Sequence, residues 1–269
     1  MTRPSLAIIG WSGLGLLYLP LLAVAVASFN AGRHGPAWKG FTVDWYVKLL
    51  GNQAVIEATV NTLVVAGIST VIATILGTLL ALGLARTPWP GPVRSGLDVL
   101  IHLPVVTPDI ILAAALVVAF AVLRLLGPTA ETWFAPGLLQ TITGHITFEI
   151  PFVALIVMAR LTVIGRSQEE AARDLYASTW RLYTRVLLPQ LAPAIAAGAL
   201  LACSLSLDDF IIAFFTSGPG TETLPVLIYG QMARGVSPEL HALSTLIFAA
   251  TVLLVVGAAR LQGGRPNAT

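Results

Sequence analysis

The sequence predicts an all-α integral membrane protein with six transmembrane helices and both termini cytoplasmic, and three observations predict it. Charge is scarce: 10% of the 269 residues are charged, against about 25% in soluble domains. The mean hydropathy is correspondingly high, at +0.85. Six apolar stretches reach membrane length, near residues 6–28, 58–85, 99–123, 137–159, 191–215 and 241–259, and about 20 residues of helix span a bilayer. Finally, basic residues divide unevenly between alternate loops. With the N-terminus inside, the inner segments hold ten (Arg3, Arg86, Arg94, Arg160, Arg166, Arg173, Arg181, Arg185, Arg260, Arg265) and the outer ones five (Arg33, Lys39, Lys48, Arg124, Arg234). Excess arginine marks the cytoplasmic side. Backbone in lipid must satisfy its own hydrogen bonds, so the stretches are helices. The short alternating segments of a membrane barrel do not occur.

Each element follows in chain order. The first stretch is longer than a signal-peptide core and is read as a retained helix. The outer loop 30–57 carries Trp38, Phe41, Trp45 and Tyr46, side chains that favour the membrane–water boundary. A short interfacial helix is expected over 43–50, begun by Thr42 or Asp44. Thr87-Pro88-Trp89-Pro90-Gly91-Pro92 makes a stiff inner turn. The whole chain forms a single permease domain, 1–269. Its one cysteine, Cys203, excludes an internal disulfide, and a net charge of +2 gives no case for nucleic acid.

The most polar part of the chain, 160–190, lies between the fourth and fifth spans. Ser167 and Glu170 have capping-box spacing. Leu175, Thr179, Leu182 and Val186 repeat at three and four residues, one apolar stripe on a helix. Two short helices across the inner face are expected. The small Ala171 and Ala172 would let another backbone approach closely.

This segment, Glu170-Ala171-Ala172 followed at a fixed gap by Val186-Leu187-Leu188-Pro189, resembles the signature of binding-protein-dependent ABC importer permeases. The resemblance implies a type I ABC importer permease fold and a coupling helix that docks on a cytoplasmic ATPase. Its contact residues would be Glu169, Glu170, Ala171, Ala172, Asp174, Tyr176, Leu188 and Pro189. The family usually has glycine where this chain has Tyr176. Glycine allows a left-handed turn that costs other residues about 1–2 kcal/mol. Either the turn is made differently here or Tyr176 fills a hollow in the partner.

No Gly-x4-Gly-Lys-Ser/Thr phosphate loop occurs, and the only lysines are Lys39 and Lys48. ATP and its magnesium therefore belong to a partner ATPase, and this chain is expected to be no enzyme and to hold no cofactor or metal. The implied partners are a second homologous permease, a homodimeric ATPase, a periplasmic or lipid-anchored substrate-binding protein, and membrane lipid.

Further stretches resemble the second membrane subunit of spermidine/putrescine importers: Trp38-Lys39-Gly40-Phe41-Thr42, Thr107-Pro108-Asp109-Ile110, His145-Ile146-Thr147-Phe148, Leu205-Ser206-Leu207-Asp208-Asp209-Phe210 and Gly235-Val236-Ser237-Pro238-Glu239. Relatives of that group carry opines and aminophosphonates. Independently, an acid in a bilayer costs roughly 2.5 kcal/mol or more and so faces a cavity or a partner. Asp109, Glu149, Asp208 and Asp209 are such acids and form the candidate cation pathway. Each also has a structural alternative: a cap on the restarted helix for Asp109, capping a broken helix or bonding the partner subunit for Asp208 and Asp209, and pairing with His145 for Glu149. A stand-alone secondary transporter would show more spans and an inverted repeat; no duplication is visible.

Overall fold

The computed structural model describes residues 3–32, 37–235 and 237–263. Arg33 and Arg265 of the charge count, and Val236 of the Gly235–Glu239 motif, lie outside them. Among the described residues the regular structure is helical: α1 (Arg3–Ala27), α2 (Asp44–Leu50), α3 (Gln53–Arg86), α4 (Gly91–Val106), α5 (Asp109–Arg124), α6 (Pro128–Trp133), α7 (Leu138–Ile164), α8 (Ser167–Asp174), α9 (Thr179–Arg181), a π-helical stretch Leu182–Leu187, α10 (Leu188–Asp208), α11 (Ile211–Thr216), α12 (Leu224–Arg234) and α13 (Pro238–Gly263). Four continuous helices are long and apolar enough to cross a membrane: α1, α3, α7 and the run Thr179–Asp208. Among the described side chains α13 contributes a shorter apolar helix, Pro238–Leu253.

The third span is broken, as Pro104 and Pro108 in its sequence predict, and the break falls at Pro108. It is split into α4 and α5, which meet at 115°. The cause is local. Thr107 precedes a proline and is pushed out of the helical region, to φ −76°, ψ 133°. Pro108 has no N–H to continue the ladder. The fifth predicted stretch is also interrupted. It ends as α10 at Asp208, turns through an extended Asp209 (φ −64°, ψ 126°) and restarts as the six-residue α11.

Two compact units make up the chain, Met1–Ile56 with Leu227–Thr269, and Glu57–Val226. In the first, α1 packs on α13 and α13 on α2. The face of α1 is left outward, with Trp11 and Leu16 both 75% exposed. The aromatic loop forms the expected short helix, α2, but neither Thr42 nor Asp44 caps it: Val43 is the N-cap residue and no side chain caps the helix. Thr42 accepts the Asp44 N–H at 3.1 Å, and the Trp45 indole donates to the Asn30 carbonyl at 2.8 Å. The Trp45 ring is buried beneath the Lys48 ammonium, which lies 4.5 Å from its centroid.

In the second unit α7 is the central helix. Val153, fully buried, is approached by two glycines. A Cβ on Gly77 of α3 would stand 2.8 Å from the Val153 Cβ, and one on Gly198 of α10 would stand 3.2 Å from its Cγ1. Close approach at small residues is how membrane helices gain contact when lipid removes the hydrophobic drive. Around this point Ala81, Ala154, Val157, Leu161, Leu187 and Leu191 close the core.

Candidate functional site

The polar segment forms a helix–turn–helix between α7 and α10. Gly165, at φ 70°, ends α7. The capping box does not form: Arg166 is the N-cap residue, Ser167 is the first helical residue, and no side chain caps α8. Tertiary contacts hold the start of α8 instead. Glu169 turns inward and pairs with Arg86 at the end of α3, Oε1 to Nε 2.5 Å, both side chains 11% exposed. The same guanidinium donates to the Gly165 carbonyl at 3.0 Å. Glu169 is thus engaged within its own chain, whereas Glu170, Ala171 and Asp174 are exposed and Ala172 is half-buried.

The left-handed turn at the family's glycine position is kept, with tyrosine in it. Tyr176 has φ 54° and is the only non-glycine with positive φ among the described residues. The Ala177 N–H bonds the Ala172 carbonyl (3.0 Å) and the Tyr176 N–H bonds that of Arg173 (2.9 Å). These are the two bonds of a Schellman ending. Of the two readings of the tyrosine, a differently made turn is therefore excluded. The ring projects outward, 96% exposed, beside Leu175 at 83% and Trp180 at 77%.

The expected stripe is redrawn by the π-helical stretch. Leu175 and Thr179 are exposed, and the buried pair is Leu182 and Leu187, five residues apart. A π turn, with its i to i+5 bonding, brings such a pair to one face. Leu188 and Pro189 follow, exposed, at the start of α10.

The four acids divide. Asp109 is the first residue of α5, exposed, with no side-chain cap bond. Asp208, the last residue of α10, is exposed as well. No described side chain pairs with either. Glu149 is fully buried and Asp209 nearly so. These two belong to one polar cluster inside the second unit. Ser69 of α3 donates to Glu149 Oε1 at 2.8 Å. Ser69 and Ser206 lie 3.2 Å apart, and Ser206 lies 2.7 Å from His145 Nδ1. His145 Nδ1 is 3.8 Å from Glu149 Oε1, the i, i+4 contact expected on α7, and its Nε2 is 3.3 Å from Asp209 Oδ2. Asp209 also accepts the amides of Ile212 (3.4 Å) and Ala213 (2.9 Å) in the first turn of α11. The sequence alone did not single out Ser69, Ser206 or the role of Arg86. Ser206 stands three residues before Asp209, but α10 ends at Asp208, so the two meet His145 from the last turn of the helix and from the extended residue after it.

No group of three or more His, Cys, Asp or Glu among the described residues is arranged to hold a metal. Long apolar helices, a broken span with acids at its breaks, and an exposed polar helix–turn–helix define a membrane-spanning transport subunit. The chain belongs to the family of binding-protein-dependent transport system inner membrane components, whose model matches residues 73–263. It is a multi-pass inner-membrane permease. It is 37% identical over 241 residues to the spermidine/putrescine transport system permease protein PotC of Escherichia coli K12, covering 89% of this chain and 87% of that one. It is 39% identical over 241 residues to the putrescine transport system permease protein PotI of the same organism, covering 88% and 83%. Its fold matches that of a bacterial ABC transporter involved in import of the acidic polysaccharide alginate, with TM-score 0.75 and 22% identity over 97% of this chain and 94% of the other.

Proposed function

We propose that this chain is one of two membrane subunits of an ATP-driven importer of polyamines. It pairs with a second, homologous permease to enclose a path. A homodimeric cytoplasmic ATPase grips the segment around Glu170, Ala171, Ala172, Asp174 and Tyr176, and a binding protein delivers substrate from the opposite side. Both termini lie on the ATPase side. ATP and magnesium act on the ATPase, and this chain catalyses no covalent step.

One observation carries the substrate reading: the relatives PotC and PotI, which match nearly the whole chain, are named for spermidine and putrescine. The site is compatible in charge. Asp109 and Asp208 sit exposed at the breaks of two apolar helices, and no described lysine or arginine neutralises them. A flexible cation with several amines exchanges its water for such carboxylates one amine at a time. A sulfate permease of Escherichia coli K12 is also similar, 30% identical over 228 residues, so the informative contrast is cation against anion. In proteoliposomes holding the complete importer, unlabelled spermidine is expected to suppress labelled putrescine uptake, and sulfate to leave it unchanged. Sulfate uptake without putrescine uptake would refute the reading.

A further inference from the structure

The buried polar cluster is more elaborate than a bundle requires. It joins α3 (Ser69), α7 (His145, Glu149), α10 (Ser206) and the turn into α11 (Asp209) in one connected set. It is also too enclosed to meet a solute: His145 is 1% exposed and Glu149 0%. Burying such groups is costly, so they persist where they hold something in place. What they hold is legible. Asp209 faces His145 with one carboxylate oxygen and accepts the Ile212 and Ala213 amides with the pair. The first turn of α11 is thereby brought against the middle of α7, through a 3.3 Å contact with His145 Nε2 rather than a hydrogen bond. The far end of α11 is tied to α7 a second time. Thr216 donates to Thr141 at 3.1 Å, and its carbonyl accepts the Gly137 N–H at 3.0 Å. Between them Gly144 admits the Ile212 side chain, which would lie 2.9 Å from a Cβ there. The helix is clamped along its length, and Asp208 is the residue immediately before the clamp.

We propose that Asp209 is a positioning residue. Through His145, with Ser206, Ser69 and Glu149 behind it, Asp209 fixes the α10–α11 turn and so sets where the exposed Asp208 carboxylate stands on the path. The two adjacent aspartates then have separate duties, with Asp208 meeting substrate and Asp209 engaged within the protein. This deepens the polyamine reading and rests on it for the identity of what Asp208 meets.

Two measurements test it. The first needs no substrate. In the assembled importer with Cys203→Ala and Asp208→Cys, a soluble cationic thiol reagent labels position 208. Adding His145→Gln, or Asp209→Asn, is expected to change that labelling rate at least fivefold. Asn keeps an oxygen for the Ala213 amide, so α11 still forms. Co-purification of the ATPase and partner permease checks assembly. An unchanged rate in both variants overturns the proposal. The second measures equilibrium binding of labelled putrescine to the assembly without binding protein. Asp208→Asn is expected to weaken binding about tenfold, one lost charge-assisted contact of about 1.4 kcal/mol. His145→Gln and Asp209→Asn are expected to weaken it alone but to add nothing in the Asp208→Asn chain. Further weakening there would mean that Asp209 touches substrate itself, which overturns the proposal. Wild-type protein that binds no putrescine, with labelling still responsive to His145→Gln, would sink the polyamine reading and leave the clamp standing.

Discussion

Tyr176→Gly separates strain from recognition, because the two change in opposite directions. The residue sits at φ 54°, a conformation costing a non-glycine roughly 1–2 kcal/mol. Glycine removes that cost, while its looser unfolded chain takes back about 0.4–1 kcal/mol. The permease alone should therefore gain between zero and about 1.6 kcal/mol. The ring, however, is 96% exposed at the tip of the segment proposed to meet the ATPase. Aromatic anchors in the centre of an interface cost about 2 kcal/mol or more when truncated, roughly 30-fold in affinity. Thermal unfolding of the purified permease pair reads the first quantity, and titration of purified ATPase onto it reads the second. Tyr176→Ala is the control: it loses the ring but keeps the strained turn, so docking should fall without a gain in stability. If Tyr176→Gly binds the ATPase as tightly as the parent, the ring makes no interface contact and the reasoning fails.

Two further outcomes follow from the packing. Arg86→Ala leaves the Glu169 carboxylate nearly buried without its partner; it should cost about 3 kcal/mol and speed tryptic cleavage at Arg173, and adding Glu169→Gln should recover most of the loss. Gly77→Ala places a Cβ 2.8 Å from Val153 and 2.9 Å from the Ile150 carbonyl. It should cost about 1–3 kcal/mol by overpacking, whereas Gly67→Ala, with nothing within 4 Å of its Cβ, should show no loss by the same unfolding assay.

The sequence carried the long apolar helices and the polar helix–turn–helix because both are local signals: long apolar runs, and a spaced Glu-Ala-Ala motif. The break of the third span was legible too, in Pro104 and Pro108, and falls at the extended Thr107 before Pro108. The apolar stripe was not, because the π-helical stretch moves the buried pair to Leu182 and Leu187. The acids were legible as exceptions in apolar helices, but their division was not. Asp208 and Asp209 differ by a single step in sequence. Only the turn between α10 and α11, with His145 arriving from α7, sends one outward and the other inward. Likewise Glu169 and Glu170 read alike in the chain, and the inward turn of Glu169 depends on Arg86, 83 residues away by their numbering.

The central claim, an ATP-coupled polyamine permease, is tested most directly by uptake. Proteoliposomes containing this chain, its partner permease, the ATPase and the binding protein are loaded with ATP and given labelled putrescine. Accumulation that requires both internal ATP and the binding protein is the predicted result. Accumulation at the same rate without ATP, driven by an ion gradient alone, would contradict the account.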